Sequence, residues 1–133
     1  MGPVNDRVRE FLVEQRPPEF DYEVAWTTLD DYLEHLVERG VAQNVASFVG
    51  ATTLRIHAVG FDDRPPSGEE LDAMRALTRR AMEDGALGVG SSLIYAPAFY
   101  ARTDELIAGG GIPRHPAPSG VSLAGVDLRS GLT

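Results

Sequence analysis

Twice in this chain an amphipathic helical pattern is followed at once by a short apolar run, and that order admits few folds. The first pattern is Leu29, Tyr32, Leu33, Leu36 and Val37, at the i, i+3, i+4, i+7, i+8 spacing of one helix face. Thr27 or Thr28 can cap its start, and Gly40 directly after Arg39 offers a stop. The run 41–49, "VAQNVASFV", comes next, and its weak alternation fits a strand covered on both faces of a parallel sheet. The second pattern begins at Ser67, where "SGEE" reads as a capping box with Glu70 reaching back. Leu71, Met74, Leu77, Ala81 and Met82 form its stripe, and Gly85 ends it. Another apolar run, "ALGVGSSLI" (86–94), follows, and "TDELIA" opens a third helix with Thr103 as cap. This alternation predicts an α/β fold in which βα units share a parallel sheet.

The flanks obey no such rule. Residues 1–25 read as an irregular approach, with Pro17 and Pro18 breaking a short helical stretch around Val8–Val13. "ATTLRIHAVGFDDRPP" (51–66) is expected to be a loop after the first strand. Residues 109–133 carry three consecutive glycines, three prolines and no helical period, so the third helix should stop after about one turn. We expect 109–133 to be a disordered or aberrant tail, of the kind a truncated or frame-shifted reading produces.

Several functions are disfavoured by composition. Twelve basic against twenty acidic side chains give a formal charge of −8, the wrong sign for gripping nucleic-acid phosphates. No apolar run is long enough to span a membrane, and the first twenty residues have no signal-peptide core, which makes a cytoplasmic location the default. The chain has no cysteine, which removes disulfides, thiolate zinc ligands and a Cys nucleophile.

Candidate chemical groups are few. Gly85, Gly88 and Gly90 make a G-x-x-G-x-G spacing between a helix and a strand, the reverse of a dinucleotide fingerprint, and no lysine closes a phosphate loop. They are better read as a helix stop and as close packing in a strand. Ser91 and Ser92 lack the closing glycine of a nucleophile elbow. His35 lies on the first helix, His57 in the expected loop after the first strand, and His115 in the tail; no H-x-H or H-E-x-x-H joins them, so no metal site can be assembled from neighbouring residues. Asp62, Asp63 and Arg64 form a charged loop, while Glu69, Glu70 and Asp72 sit where a helix dipole favours carboxylates. Arg55 is a lone cation that either binds a carboxylate or pins a loop. Tyr95 follows the second strand at the end where parallel sheets place ligand contacts. Position alone leaves open whether Tyr95 meets a ligand or packs beside Phe99 and Tyr100.

In order and spacing, roughly residues 20–108 resemble one region of the N-acyl-D-amino-acid deacylases (D-aminoacylases) of the metal-dependent amidohydrolase superfamily. The resemblance is carried by Trp26 ahead of "LDDYLEHLVERGVAQNVASFVG", by "TLR" at 53–55, and by "EELDAMRALTRRAMEDGALGVGSSLIYAPAFYARTDELIA" at 69–108. It implies that 26–108 form two to three βα units of a partial (β/α)8 TIM barrel. It also implies an enzyme that hydrolyses the amide of N-acyl-D-amino acids with a zinc-activated water. The family's zinc ligands, an H-x-H motif, a cysteine and later histidines, have no counterpart here, so no catalytic or metal-binding residue is assigned and the chain alone is expected to be inactive and to bind no zinc. The tyrosine of the family's Leu-Ile-Tyr maps onto Tyr95, which the resemblance makes a substrate-binding residue. Two departures bear on substrate choice: a histidine frequent in the family is Ala51 here, and its Ser-Thr-Gly triplet is Gly90-Ser91-Ser92. The alternative is a non-catalytic α/β interaction module, and in either case exposed strand edges are expected to promote self-association.

Overall fold

The computed structural model describes residues 2–110, and its elements are α1 (Asp6–Glu14), α2 (Leu29–Arg39), β1 (Val49–Gly50), α3 (Ala51–Ala58), α4 (Gly68–Glu83), β2 (Val89–Gly90), a 3-10 helix (Ala98–Tyr100) and α5 (Thr103–Gly110). Of the three helices whose caps the sequence suggested, α2 and α4 form within a residue of their expected limits, and α5 starts at Thr103 itself. At α2 the cap is Thr28: its hydroxyl accepts from Asp31 N–H at 3.1 Å, and the Asp31 carboxylate accepts from the Thr28 and Thr27 N–H groups at 2.9 and 3.0 Å. Those amide donors hold the Asp31 carboxyl below its ordinary pKa. At α4 the Ser67 hydroxyl accepts from Glu70 N–H at 3.2 Å, and Glu70 accepts from Ser67 N–H at 2.7 Å. Both helices end at glycines in the left-handed region, Gly40 at φ +78° just past α2 and Gly85 at φ +98° just past α4. A Cβ would be strained at either position.

The two apolar runs do pair in parallel, with Val49 opposite Val89 and Gly50 opposite Gly90. Bonds from Val49 N–H to the Gly88 carbonyl and from Leu87 N–H to the Ser47 carbonyl, both 2.9 Å, carry the contact slightly beyond the strands. The strands are nevertheless far shorter than the sequence predicts. Residues 41–48 are irregular, and Val41, Val45 and Phe48 are exposed. A β-branched run becomes a strand only where neighbours cover and pair it, and among the described residues most of this run has no partner strand.

The segment 51–58 corrects the sequence reading. It is a helix, entered directly from β1 with Gly50 as N-cap and no side-chain cap. Three consecutive residues of α3, Leu54, Arg55 and Ile56, are buried, so the helix is covered on more than one side. Such a helix shows no single apolar stripe, and this is why its sequence resembles a loop. α5 is a second correction, since it runs through Gly110 and does not stop after one turn. The remainder of the expected tail, with His115, lies outside the described residues.

α3 also links the two halves of the core. Its Leu54 joins Leu29, Val49, Met74, Ala81 and Ala86 in one cluster, and its Ile56 joins Val4, Val8, Val24 and Trp26 in another. Residues near the N-terminus are thus tied down. Asn5 caps α1 by accepting from Val8 N–H and donates from Nδ2 to the His57 carbonyl at 3.1 Å. Val4 N–H reaches the Thr27 carbonyl at 2.7 Å, and the Arg9 guanidinium donates to the Val24 carbonyl.

Candidate functional site

Arg55 is the most deeply buried charged residue among those described, 1% exposed, and its guanidinium ties two other pieces of chain to α3. One Nη donates to the Glu105 carboxylate of α5 at 2.6 Å, and Glu105 is itself only 4% exposed. The other Nη donates to the backbone carbonyls of Asp62 and Arg64 at 3.0 and 2.8 Å. Of the two roles its position suggested, the structure shows the structural one: Arg55 pins the 62–64 loop, and the carboxylate it meets is the chain's own Glu105. Its Nε has no partner. Sequence reasoning missed Glu105, whose place in the first turn of a helix is already explained by the dipole. The available signal lay at the other end, since a cation inside the apolar stretch "TLRIHAV" can be buried only against an acceptor.

Between β2 and α5 the chain runs through turns, not through the strand the sequence suggests. Ser91 and Ser92 are exposed there, and Tyr95 sits in a bend with 69% of its surface exposed. Tyr95 does not stack with its aromatic neighbours. Phe99 and Tyr100 pair edge to face with ring centroids 6.2 Å apart, while the Tyr95 carbonyl accepts from Phe99 N–H at 2.9 Å. Leu93, Ile94, Phe99 and Ile107 are exposed around the same segment.

The other titratable candidates are not gathered with Tyr95. His57 lies on α3, half-buried, and lines a recess of about 130 Å³ with Val4, Leu29, Leu77, Arg80 and Asp84. Burial pushes its imidazole below the ordinary value, helped by the charge of Arg7. At the rim of this recess Arg80 and Asp84 are themselves paired at 2.9 Å. His35 packs against the Trp26 ring, centroids 5.5 Å apart, with Tyr32 on the same indole at 5.1 Å. Arg64 forks onto Glu70 at 2.7 and 2.8 Å, and this contact, with the Ser67 N–H, pushes Glu70 down to about 2. Of the carboxylates flagged at the start of α4, Glu70 is thus committed to its cap, and Asp72 pairs with Arg75 at 2.7 Å.

Three relatives from Alcaligenes xylosoxydans xylosoxydans match parts of the chain. An N-acyl-D-aspartate deacylase is 41% identical over 91 residues, 68% of this chain and 18% of the relative. A D-aminoacylase is 40% identical over 77 residues, 58% of this chain and 16% of the relative. The chain resembles a fragment of the N-acyl-D-amino-acid deacylases. An N-acyl-D-glutamate deacylase is 38% identical over 63 residues, 47% of this chain and 13% of that relative. The chain thus spans less than a fifth of the length of the curated relatives it matches. No family model and no solved structure matches it.

Such relatives, by the resemblance above, use a metal, and the described residues do not fit one. Among them no group of three or more His, Cys, Asp or Glu side chains converges. The one buried carboxylate among the described residues, Glu105, is already taken by Arg55. No described helix is long and apolar enough to cross a membrane.

Proposed function

We propose that this chain is one section of an N-acyl-D-amino-acid deacylase barrel, residues 26–108, in which Tyr95 contacts the N-acyl-D-amino acid. The observation that carries the reading is the 41% identity over 91 residues to an N-acyl-D-aspartate deacylase. It is supported by the fold: two runs, each preceded by a capped helix, pair in parallel as neighbouring βα units of a barrel must. Exposure of Tyr95 beyond the C-terminal end of β2 supports its role as a contact. The amide hydrolysis itself requires zinc ligands that the described residues do not provide, so the chain alone is inactive. Its substrate is a small molecule, and a net charge of −8 argues against a nucleic-acid partner.

The test is a chimera. Residues of this chain replace the matching segment of the N-acyl-D-aspartate deacylase, and hydrolysis of N-acetyl-D-aspartate is measured. The folded chimera should be active, and Tyr95→Ala within it should lower kcat/KM by about tenfold or more. A folded but inactive chimera defeats the reading, and so does zinc-dependent turnover by the isolated chain for the claim of inactivity.

A second reading, a non-catalytic α/β interaction module, is favoured by the exposed Leu93, Ile94, Phe99 and Ile107. On that reading the purified chain forms a discrete dimer in size-exclusion chromatography. On the barrel reading it associates heterogeneously through its strand edges.

A further inference from the structure

We infer that the buried Arg55–Glu105 pair is a positioning device that sets where the 91–107 segment sits, and that it acts locally on that segment more than on the stability of the whole chain. The inference rests on the reading of Tyr95 as a substrate contact only for its functional meaning; the physical claim stands apart from it. The geometry carries it. Tyr95 lies in a stretch of turns strung between β2 and α5, and the 3-10 helix of that stretch packs on α3. α5 packs along α4, but the apolar side chains described on it are little buried. Ile107 is 67% exposed and Leu106 is only half-buried, whereas Glu105 is 4% exposed. What α5 buries in its first turn is therefore a charge, and that charge meets Arg55 at 2.6 Å.

The pair is poorly suited to a purely stabilising role. Two ions taken out of water recover their hydration only when every donor and acceptor is matched, and Arg55 Nε is left without a partner. Such a pair is directional where apolar contact is not. A guanidinium whose other Nη is fixed by the Asp62 and Arg64 carbonyls presents a single direction to a carboxylate. α5 can dock in one register and no other, and the turns before it inherit that register. Arg55 is thus a positioning residue for Tyr95, acting through Glu105 across fifty positions of sequence.

Amide hydrogen exchange on the full chain tests this. The reporters are the Phe99, Tyr100, Ala101 and Leu106 amides, which bond to the carbonyls of Tyr95, Pro97, Ala98 and Arg102. Glu105→Gln should raise exchange at these four at least about tenfold while amides of α1, α2 and the middle of α4 stay within about twofold. Should that variant unfold, the double variant Arg55→Met with Glu105→Met removes the pair without leaving a lone buried charge, and the same selective rise is expected. Protection at the four amides that stays at the wild-type level in the double variant would overturn the inference, because apolar packing would then hold the segment. An equal rise everywhere, or unfolding of both variants, would overturn it too, by making the pair a general stability element. Failure of the Tyr95 reading in the chimera leaves these exchange rates untouched.

Discussion

The surroundings of Trp26 and the surroundings of Tyr95 hold similar kinds of residue, aromatic and branched aliphatic, yet treat them in opposite ways. Around Trp26 the chain covers its own apolar groups: Val4, Val8, Val24 and Ile56 are buried, and α1 and the backbone near Asn5 are fastened to α3. Around Tyr95 the chain leaves them open, with Ile94 73% and Phe99 70% exposed. The difference lies in what closes each region. The first is closed by side-chain burial, which needs no particular geometry. The second buries Pro97 and Ala98 and is otherwise held through one buried ion pair, which needs a good deal. On the proposed barrel reading the open side is where neighbouring βα units would lie.

That contrast can be broken by point substitutions. Ile56→Ala should cost about 4 kcal/mol in a denaturant titration, because it opens a cavity at a fully buried position, whereas Ile94→Ala should stay within about 0.5 kcal/mol. Equal costs would mean that the two regions do not differ as described. A smaller loss, about 1 kcal/mol with reduced far-ultraviolet helicity, is expected for Ser67→Ala, which removes the α4 cap. If it costs nothing, the tertiary packing of α4 alone suffices.

The gentlest probe is pH. Burial depresses the His57 pKa, so the folded state binds that proton less readily than the unfolded chain. Its contribution to stability is complete above the ordinary value of about 6.5 and is lost as pH falls from there toward the lowered folded value. His57→Gln should flatten the stability profile between about pH 7 and about pH 5 without changing exchange in the Tyr95 segment. A change there would show that the recess beside Val4 and the far end of the molecule are coupled.

How legible each part was in the sequence follows the same line. α2 and α4 could be read because the signals that make them are local: Thr28 with Asp31, Ser67 with Glu70, and glycines at the far ends. The parallel pairing was legible from the order of elements. Strand length was not, because Val41 and Val45 become strand only beside a neighbour. α3 was hidden by its own burial, which erases the stripe that amphipathic helices show. Of the site, Arg55 could be singled out, but Glu105 lies fifty residues away and nothing local marks it. Tyr95 is proposed from its place after the second run and from the resemblance, and the turn that carries it was not foreseen.

Trp26 is the one tryptophan of the chain, and it is packed against Tyr32 and His35 on the closed side of the molecule. Its emission is a witness placed in one room of a two-room house. A sample whose fluorescence spectrum has stayed native can already have released the segment that bears Tyr95. A melting curve read from tryptophan emission dates the loss of the Val4–Val8–Ile56 packing and is silent on whether α5 is still docked.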